Sequence, residues 1–244
     1  MKQYKNRNQL ENKMYSLKRI ARLAGLLYFF LIITGMYIIM YVPSKIMAEG
    51  DAVTTAKNIL SNEFLFRTGI IGDIISNTIF VFLVLILYRL FKQVNGHQAK
   101  LMVALVIVQI PAVFIMEAFN ITALMLFKGE ILKTFEPAQR QDMAMLFLKI
   151  NDYGGLILEM FWGLWLLPFG QLVCKSKFIP RIFGILLISA GIAYMIDSFI
   201  SLLFPSYHAF VNKPTLLIVA VGEISIMLWL LIKGVKNNVP TIDK

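Results

Sequence analysis

Acidic side chains occur inside the most apolar stretches of this 244-residue chain. Five of its six long apolar stretches carry a carboxylate, one of them with a second at its rim (Asp152), and no Lys or Arg lies at the same depth: Asp73, Glu117, Asp152, Glu159, Asp197 and Glu223. An ionised group is costly in hydrocarbon, so acids in membrane helices normally face a bundle interior or a wet cavity and mark function. Protonatable acids at this depth are suited to exchanging protons or binding cations.

The composition is typical of a polytopic membrane protein. Hydrophobic residues make up 58% of the chain, charged residues only 16%, and the mean hydropathy is +0.72. The net charge of +10 comes from basic residues at the ends of the apolar stretches, with no soluble domain to present them. We therefore expect no nucleic-acid partner, since that function needs basic residues clustered on a folded face.

Six apolar stretches are long enough to cross a membrane as helices. The sequence predicts them at Leu23–Val42, Ile70–Tyr88, Leu101–Phe127, Tyr153–Val173, Ile182–Phe204 and Leu216–Ile232. Backbone groups in lipid must form their hydrogen bonds internally, and these stretches lack the alternation of barrel strands. We therefore expect an all-α fold, a polytopic membrane protein with a six-transmembrane-helix bundle.

The distribution of basic residues predicts the orientation. With the N-terminus in the cytoplasm, two thirds of the 24 Lys and Arg residues lie on the inner side, which favours N-in/C-in topology. Residues 1–22 are predicted to form a basic amphipathic tail on an anionic inner leaflet, with Leu10, Met14, Leu17 and Ala21 on its apolar face. Residues 23–236 then form the transmembrane domain, and residues 237–244 form a short cytoplasmic tail.

Local signals predict three features of the connections and helices. Asp51 is a candidate N-cap for a short helix in the first outer loop. Glu136-Pro137 is a plausible helix start before the fourth span. Pro111 should kink the third span.

The topology gathers the acids at one depth. At 1.5 Å per residue, Asp73 lies about 5 Å below the outer boundary, whereas Glu117 and Asp197 lie about 24 and 22 Å from the inner one. Asn77 and Asn120 share helix faces with Asp73 and Glu117, and Tyr194 and Ser201 share one with Asp197. We therefore predict an outward-facing acidic pocket lined by Arg67, Asp73, Asn77, Glu117, Asn120, Asp152, Glu159, Asp197 and Glu223.

Several acids in one low-dielectric space cannot all be ionised. We expect some of them to be protonated or to share a cation, with Arg67 as the nearest counter-charge. Small residues on the same helix as Glu159, among them Gly155 and Gly163, would allow close helix approach. Each acid could instead be structural, a protonated carboxyl that bonds a neighbouring helix.

The sequence lacks the common catalytic motifs. There is no H-E-x-x-H, no G-x-S-x-G and no Walker loop. His97 and His208 fall on opposite sides of the membrane in this topology, which argues against a His-based zinc site. A carboxylate-only site would suit Mg²⁺ or Ca²⁺ better, and the identity of any metal stays open. No cofactor is predicted.

Several motifs resemble one bacterial membrane family. They are Arg19–Tyr28, Gly50-Asp51-Ala52, Leu65-Phe66-Arg67-Thr68-Gly69, Phe178–Gly184, Tyr194–Ser198 and Gly222-Glu223. Together they are similar to the family called domain of unknown function 4386, over nearly the whole chain. The resemblance implies a bacterial six-span protein of the plasma membrane, gives weight to Asp51, Arg67, Asp197 and Glu223, and implies no activity.

Three functions follow from these features. The first is binding or movement of a small solute or cation through the acidic pocket, since protonatable acids at mid-membrane depth suit ion coupling. The second is a structural or regulatory membrane protein whose acids hold helices together. The third is an intramembrane enzyme, which the missing motifs disfavour. Six spans are few for a complete transporter, so we include assembly into a homo-oligomer among the expected partnerships.

Overall fold

The computed structural model describes residues 2–48 and 50–236, and it describes side chains from residue 15 onward. These residues form helices and connecting turns and include no strand, which confirms the all-α prediction. The α-helices are α1 Lys2–Met36, α2 Val42–Ile46, α3 Ala52–Ser61, α4 Glu63–Phe91, α5 Gly96–Ile107, α6 Ile110–Phe127, α7 Pro137–Ser176, α8 Arg181–Leu203 and α9 His208–Leu228.

Six helical segments are long and apolar enough to cross a membrane, as the sequence predicted. Each contains most or all of the corresponding predicted stretch and most extend beyond it, because polar residues continue the helices past the apolar core. The segments are Tyr15–Ile46, Glu63–Phe91, Gly96–Phe127, Pro137–Ser176, Arg181–Leu203 and Pro205–Lys233.

The first span continues the N-terminal helix without a break. α1 passes through residue 22, the predicted boundary between the tail and the span. The expected apolar face of the tail includes Leu10 and Met14, whose side chains lie outside the described residues, as does the predicted tail at 237–244. A π-helical turn, Tyr37–Tyr41, then precedes Pro43, which has no backbone N–H to donate to the helix.

The third span is interrupted near Pro111, as predicted. α5 ends at Ile107 and α6 begins at Ile110, with Pro111 in its first turn. Proline removes a backbone donor and its ring crowds the preceding turn, so the helix breaks just before it. α6 then carries Glu117 as part of a new helix.

The two short-range signals in the loops before α3 and α7 are also confirmed. The Asp51 side chain accepts a 2.9 Å hydrogen bond from the Thr54 amide at the start of α3. α7 begins at Pro137. Proline suits this first helical position, because an N–H there would have no partner within the helix.

The chain divides into two compact units. The first comprises the described parts of residues 1–29, 80–107 and 159–244, and the second comprises residues 30–79 and 108–158. The first has an aromatic centre, in which Trp165 stacks on Phe169 at 5.4 Å and Phe91 meets Phe169 edge-on at 5.8 Å. The core of the second includes the buried side chains of Ile59 and Leu124.

In the first unit, a seam of glycines brings α7 and α8 into backbone contact. A Cβ atom on Gly163 would collide with the Gly191 carbonyl, and one on Gly170 would lie 2.6 Å from the Gly184 carbonyl. Gly163 thus allows the close approach that the sequence predicted. Gly155, predicted beside it, has no atom within 4 Å of its Cβ position. The seam fixes the separation of the helices that carry Glu159 and Asp197.

Candidate functional site

Asp197 lies at the centre of a polar cluster between α8 and α9. Its side chain has no exposed surface. Its Oδ1 accepts a 3.0 Å hydrogen bond from the Ser201 hydroxyl, one turn along α8, and its Oδ2 accepts a 3.2 Å bond from the Asn212 amide on α9. These partners are neutral, so they solvate the carboxylate without cancelling its charge.

His208 joins the cluster from the first residue of α9. α8 ends at Leu203, and a 3₁₀ turn at Pro205–Tyr207 leads into α9. The His208 Nδ1 lies 2.7 Å from the Ser201 Oγ and 3.9 Å from the Asp197 Oδ1. Because the His208 side chain is 44% exposed and that of Asp197 is 0% exposed, the cluster joins a group at the protein surface to an enclosed one.

Glu159 on α7 lies near Asp197 in the same unit. Their carboxyl groups are close enough for their charges to interact. The Oε2 atom of Glu159 is buried and has no hydrogen-bond partner in the structure. Buried polar atoms almost always have a partner, so this oxygen marks a position where a proton, a cation or a water molecule would be stabilised.

Glu223 on α9 is bonded to the first helix. Its Oε2 accepts a 2.8 Å hydrogen bond from the Tyr28 hydroxyl on α1. Tyr28 is fully buried, and its ring lies 6.1 Å from that of Trp165. Tyr194 on α8 interacts with the charges of Glu223, Glu159 and Asp197, so it lies near all three acids of this unit.

The second unit contains a separate pair of acids. Asp73 on α4 interacts directly with Glu117 on α6. The Asn77 amide donates a 3.0 Å bond to the Asp73 Oδ1, and the Asn120 amide donates a 3.0 Å bond to the Glu117 Oε2. The predicted pairings along each helix are therefore present, and Glu117 is buried.

The remaining two predicted pocket residues lie at exposed positions in that unit. Arg67 pairs with Glu63, one turn away on α4, at 2.8 Å. Lys128 contacts the same Glu63 oxygen at 3.3 Å and Glu130 at 2.9 Å; these carboxylates, Glu130 above all, raise the pKa of Lys128. The described contacts of Arg67 are thus with a surface acid. Asp152 is exposed and interacts with the charge of Lys149.

The structure therefore groups the predicted residues within units. Glu159, Asp197 and Glu223 come together in the first unit, and Asp73 and Glu117 in the second. One pocket shared by all of them stays a prediction.

Three partners of these acids are not predicted from the sequence: Tyr28, His208 and Asn212. The sequence weighs His208 only against a zinc site, although its spacing to Asn212 in one helix places both on one face. That spacing was the available signal. No sequence signal connects Tyr28 with Glu223, because 195 residues separate them.

Comparison with known proteins identifies the chain at the family level. A family model matches residues 23–234, most of the chain. The chain belongs to the family described as Domain of unknown function (DUF4386). The match includes every candidate residue of this DUF4386 protein. No curated protein and no solved structure matches it. Among its described residues, no group of three or more His, Cys, Asp and Glu side chains could hold a metal ion.

Proposed function

We propose that this multi-pass membrane protein binds a small cation, the proton included, at Glu159 and Asp197, and moves it or a solute coupled to it. The observation that carries the proposal is the buried Oε2 of Glu159, which has no hydrogen-bond partner and lies near the enclosed Asp197. Two neighbouring carboxylates in a low-dielectric interior repel one another and lose their hydration. A bound cation would relieve both costs.

The neutral partners of Asp197 support the same conclusion. The Ser201 hydroxyl and the Asn212 amide donate hydrogen bonds but carry no charge. His208 offsets the charge only when it is protonated. With both carboxyls ionised, the site therefore carries excess negative charge that a bound cation would offset, which is the property needed for ion coupling.

Flux through reconstituted protein tests this function. Liposomes would be prepared with H⁺, Na⁺ or K⁺ as the permeant cation, and decay of an imposed membrane potential would be followed with a dye. We expect wild-type protein to dissipate the potential for at least one cation, and Glu159→Gln and Asp197→Asn to slow it by on the order of 100-fold, a typical effect of losing a proton-transferring group.

Two exposed acids provide matched controls: Glu136→Gln and Asp142→Asn make the same chemical changes outside the site, and both should behave as wild type. Decay no faster than in protein-free liposomes for every cation would contradict the proposal. So would equal rates for the site variants and the wild type.

A second candidate is a structural or regulatory protein whose acids hold the helices together. The observation that favours it is that two acids bond across helices, Glu223 with Tyr28 on α1 and Asp197 with Asn212 on α9. It predicts that Glu159→Gln, which removes no described hydrogen bond, leaves every measured property unchanged. A loss of flux in that variant, with its thermal stability retained, would exclude this candidate.

The meeting of Ser201, His208 and Asp197 does not favour an acyl-transfer enzyme. In a catalytic triad the histidine receives the serine proton on one ring nitrogen and bonds the acid through the other. Here the serine and the acid both approach Nδ1 of His208, at 2.7 and 3.9 Å, and the serine itself donates to the acid.

We also propose the bacterial plasma membrane as the location, with both termini in the cytoplasm, from the distribution of basic residues. This places the basic N-terminus on an anionic inner leaflet. Reporter fusions after residues 95 and 236 test the orientation, because both should be active only with a cytoplasmic reporter. Assembly into a homo-oligomer is a further proposal, and native mass spectrometry in detergent would detect it.

A further inference from the structure

The connection between α8 and α9 joins the surface to Asp197 through two side chains. His208 is partly exposed, Ser201 is buried, and Asp197 is fully enclosed. We propose that His208 and Ser201 form a relay that delivers protons to Asp197. This inference rests on the proposed function and deepens it, because it makes the proton the coupled cation and the α8–α9 connection its port.

The direction of the hydrogen bonds supports the relay. A serine hydroxyl has one proton, and that of Ser201 points to the Asp197 Oδ1 at 3.0 Å. The contact of 2.7 Å between Ser201 Oγ and His208 Nδ1 must then use a proton on Nδ1. His208 is therefore in the tautomer that leaves Nε2 free to accept a proton. Both hydrogen bonds of the relay are therefore donated inward, from the exposed His208 towards the enclosed Asp197.

The transfer of one proton from His208 through Ser201 to Asp197 balances in protons and charge. A proton from water binds Nε2 of His208. The Nδ1 proton moves to Ser201 Oγ as the Ser201 proton moves to the Asp197 Oδ1. Asp197 becomes a neutral carboxylic acid, Ser201 is again a neutral hydroxyl, and His208 is neutral with its proton on Nε2. A return of the imidazole to its first tautomer resets the relay.

The surroundings of Asp197 include a group that could accept the proton from it. Across the helix seam lies Glu159 with its unpartnered Oε2, and Tyr194 on α8 interacts with Asp197, Glu159 and Glu223. The other groups facing Asp197 are Asn212 and His208 from α9. Lys213, next to Asn212, is exposed. Asp197 therefore has a second acid, Glu159, near enough for their charges to interact, and this acid is the next proton acceptor in the proposal.

Infrared spectroscopy after a pH jump tests the relay without requiring transport. A rapid drop in pH around purified protein should produce the carbonyl band of a protonated carboxyl, assigned to Asp197 by its absence in Asp197→Asn. His208→Gln keeps a side-chain hydrogen bond to Ser201 but cannot relay a proton. We expect His208→Gln and Ser201→Ala to slow the rise of this band by on the order of 100-fold and to leave its final amplitude unchanged.

Two further variants separate relay from structure. Ser201→Thr retains the hydroxyl and should restore the rate, and Tyr207→Phe, at the exposed neighbour of His208, should match the wild type. An unchanged rate in His208→Gln would overturn the relay, as would the absence of any Asp197 band in the wild type. Because potential-driven flux is measured separately, a relay without flux would contradict only the proposed transport, and flux with unchanged band kinetics would contradict only the relay.

Discussion

The Tyr28 hydroxyl on α1 donates a 2.8 Å hydrogen bond to the Glu223 carboxylate on α9, which joins helices 195 residues apart in sequence. Tyr28 has no exposed surface and lies beside Trp165. Gly25, one turn earlier on α1, allows the contact, because a Cβ atom there would collide with the backbone at Leu231. Close packing at Gly25 and the hydrogen bond between Tyr28 and Glu223 thus hold the first and last spans together.

Tyr28→Phe removes this bond and leaves a carboxyl oxygen with one donor fewer. Polar bonds between membrane helices contribute about 0.6 kcal/mol on average and up to about 1.7, so we expect destabilisation toward the upper end. The measurement is thermal unfolding in detergent, followed by loss of the monodisperse chromatographic peak. Tyr153→Phe, at an exposed tyrosine, is the matched control and should unfold with the wild type. Equal stability of both variants would show that the bond contributes nothing.

Gly163→Ala should destabilise the seam between α7 and α8. The new methyl group would meet the Gly191 carbonyl, which is backbone and cannot rotate away, and overpacking of this kind typically costs about 1–3 kcal/mol. Gly155→Ala on the same helix meets nothing within 4 Å. Because alanine is the better helix former, that control should be neutral or stabilising by about 0.5–1 kcal/mol. Thermal unfolding would be measured for Gly163→Ala and Gly155→Ala. Equal unfolding temperatures for the two variants would refute the close contact between α7 and α8.

Glu117→Gln should be tolerated, whereas Glu117→Leu should not. Glu117 is buried, accepts a bond from Asn120, and interacts with Asp73. Glutamine supplies an oxygen for Asn120 and a donor for Asp73, which imitates a protonated glutamate. Leucine removes the acceptor of Asn120 and the Glu117 contact of Asp73, which then keeps only its bond from Asn77, and a polar group left without a partner costs about 1–3 kcal/mol. Thermal unfolding at neutral pH compares them, and a Gln variant as unstable as the Leu variant would mean that the carboxyl is ionised.

Asp51 should stabilise α3 through its ionised form. Hydrogen bonds from the Thr54 hydroxyl and amide lower the pKa of Asp51. The pKa of Asp51 is lower in the folded than in the unfolded protein. The cap therefore stabilises α3 fully at a pH above the unfolded-state pKa of Asp, about 3.9. This stabilisation is lost as the pH falls through the folded-state pKa of Asp51. Amide exchange in α3, corrected for its intrinsic pH dependence, should therefore be constant from about pH 5 to 8 and increase only in stronger acid.

A pair of substitutions separates the cap from other effects of the loop. Asp51→Ala should accelerate exchange in α3 at neutral pH, and Asp51→Ser, which keeps an oxygen at the cap, should largely preserve protection. If the protection of the α3 amides in the wild type decreased between neutral pH and pH 5, the ionised Asp51 side chain would not be the cap of α3.

Local signals predicted much of this fold because their causes are local. Span lengths follow from hydropathy, the break before Pro111 from a missing donor, and the start of α3 from the Asp51 cap. α1 continues through residue 22, where the predicted tail meets the predicted span, because charged residues end an apolar stretch without ending a helix.

The site was less predictable because its contacts join distant positions. Helical spacing correctly paired Asp73 with Asn77 and Glu117 with Asn120. It could not pair Tyr28 with Glu223, which lie on different helices. It also missed His208, because the contact with Ser201 depends on the turn at residues 205–207 that reverses the chain.

The central claim is that the carboxyls of Glu159 and Asp197 take up a cation. Infrared difference spectra of the purified protein, recorded as H⁺, Na⁺, K⁺ or Ca²⁺ replaces a bulky organic cation at fixed ionic strength, test it most directly. We predict that at least one cation changes the carboxylate bands of the wild type and of the Glu136→Gln/Asp142→Asn control, and that the part of this change due to Glu159 and Asp197 is missing in Glu159→Gln/Asp197→Asn. Identical difference spectra in the wild type and the site variant would contradict the claim.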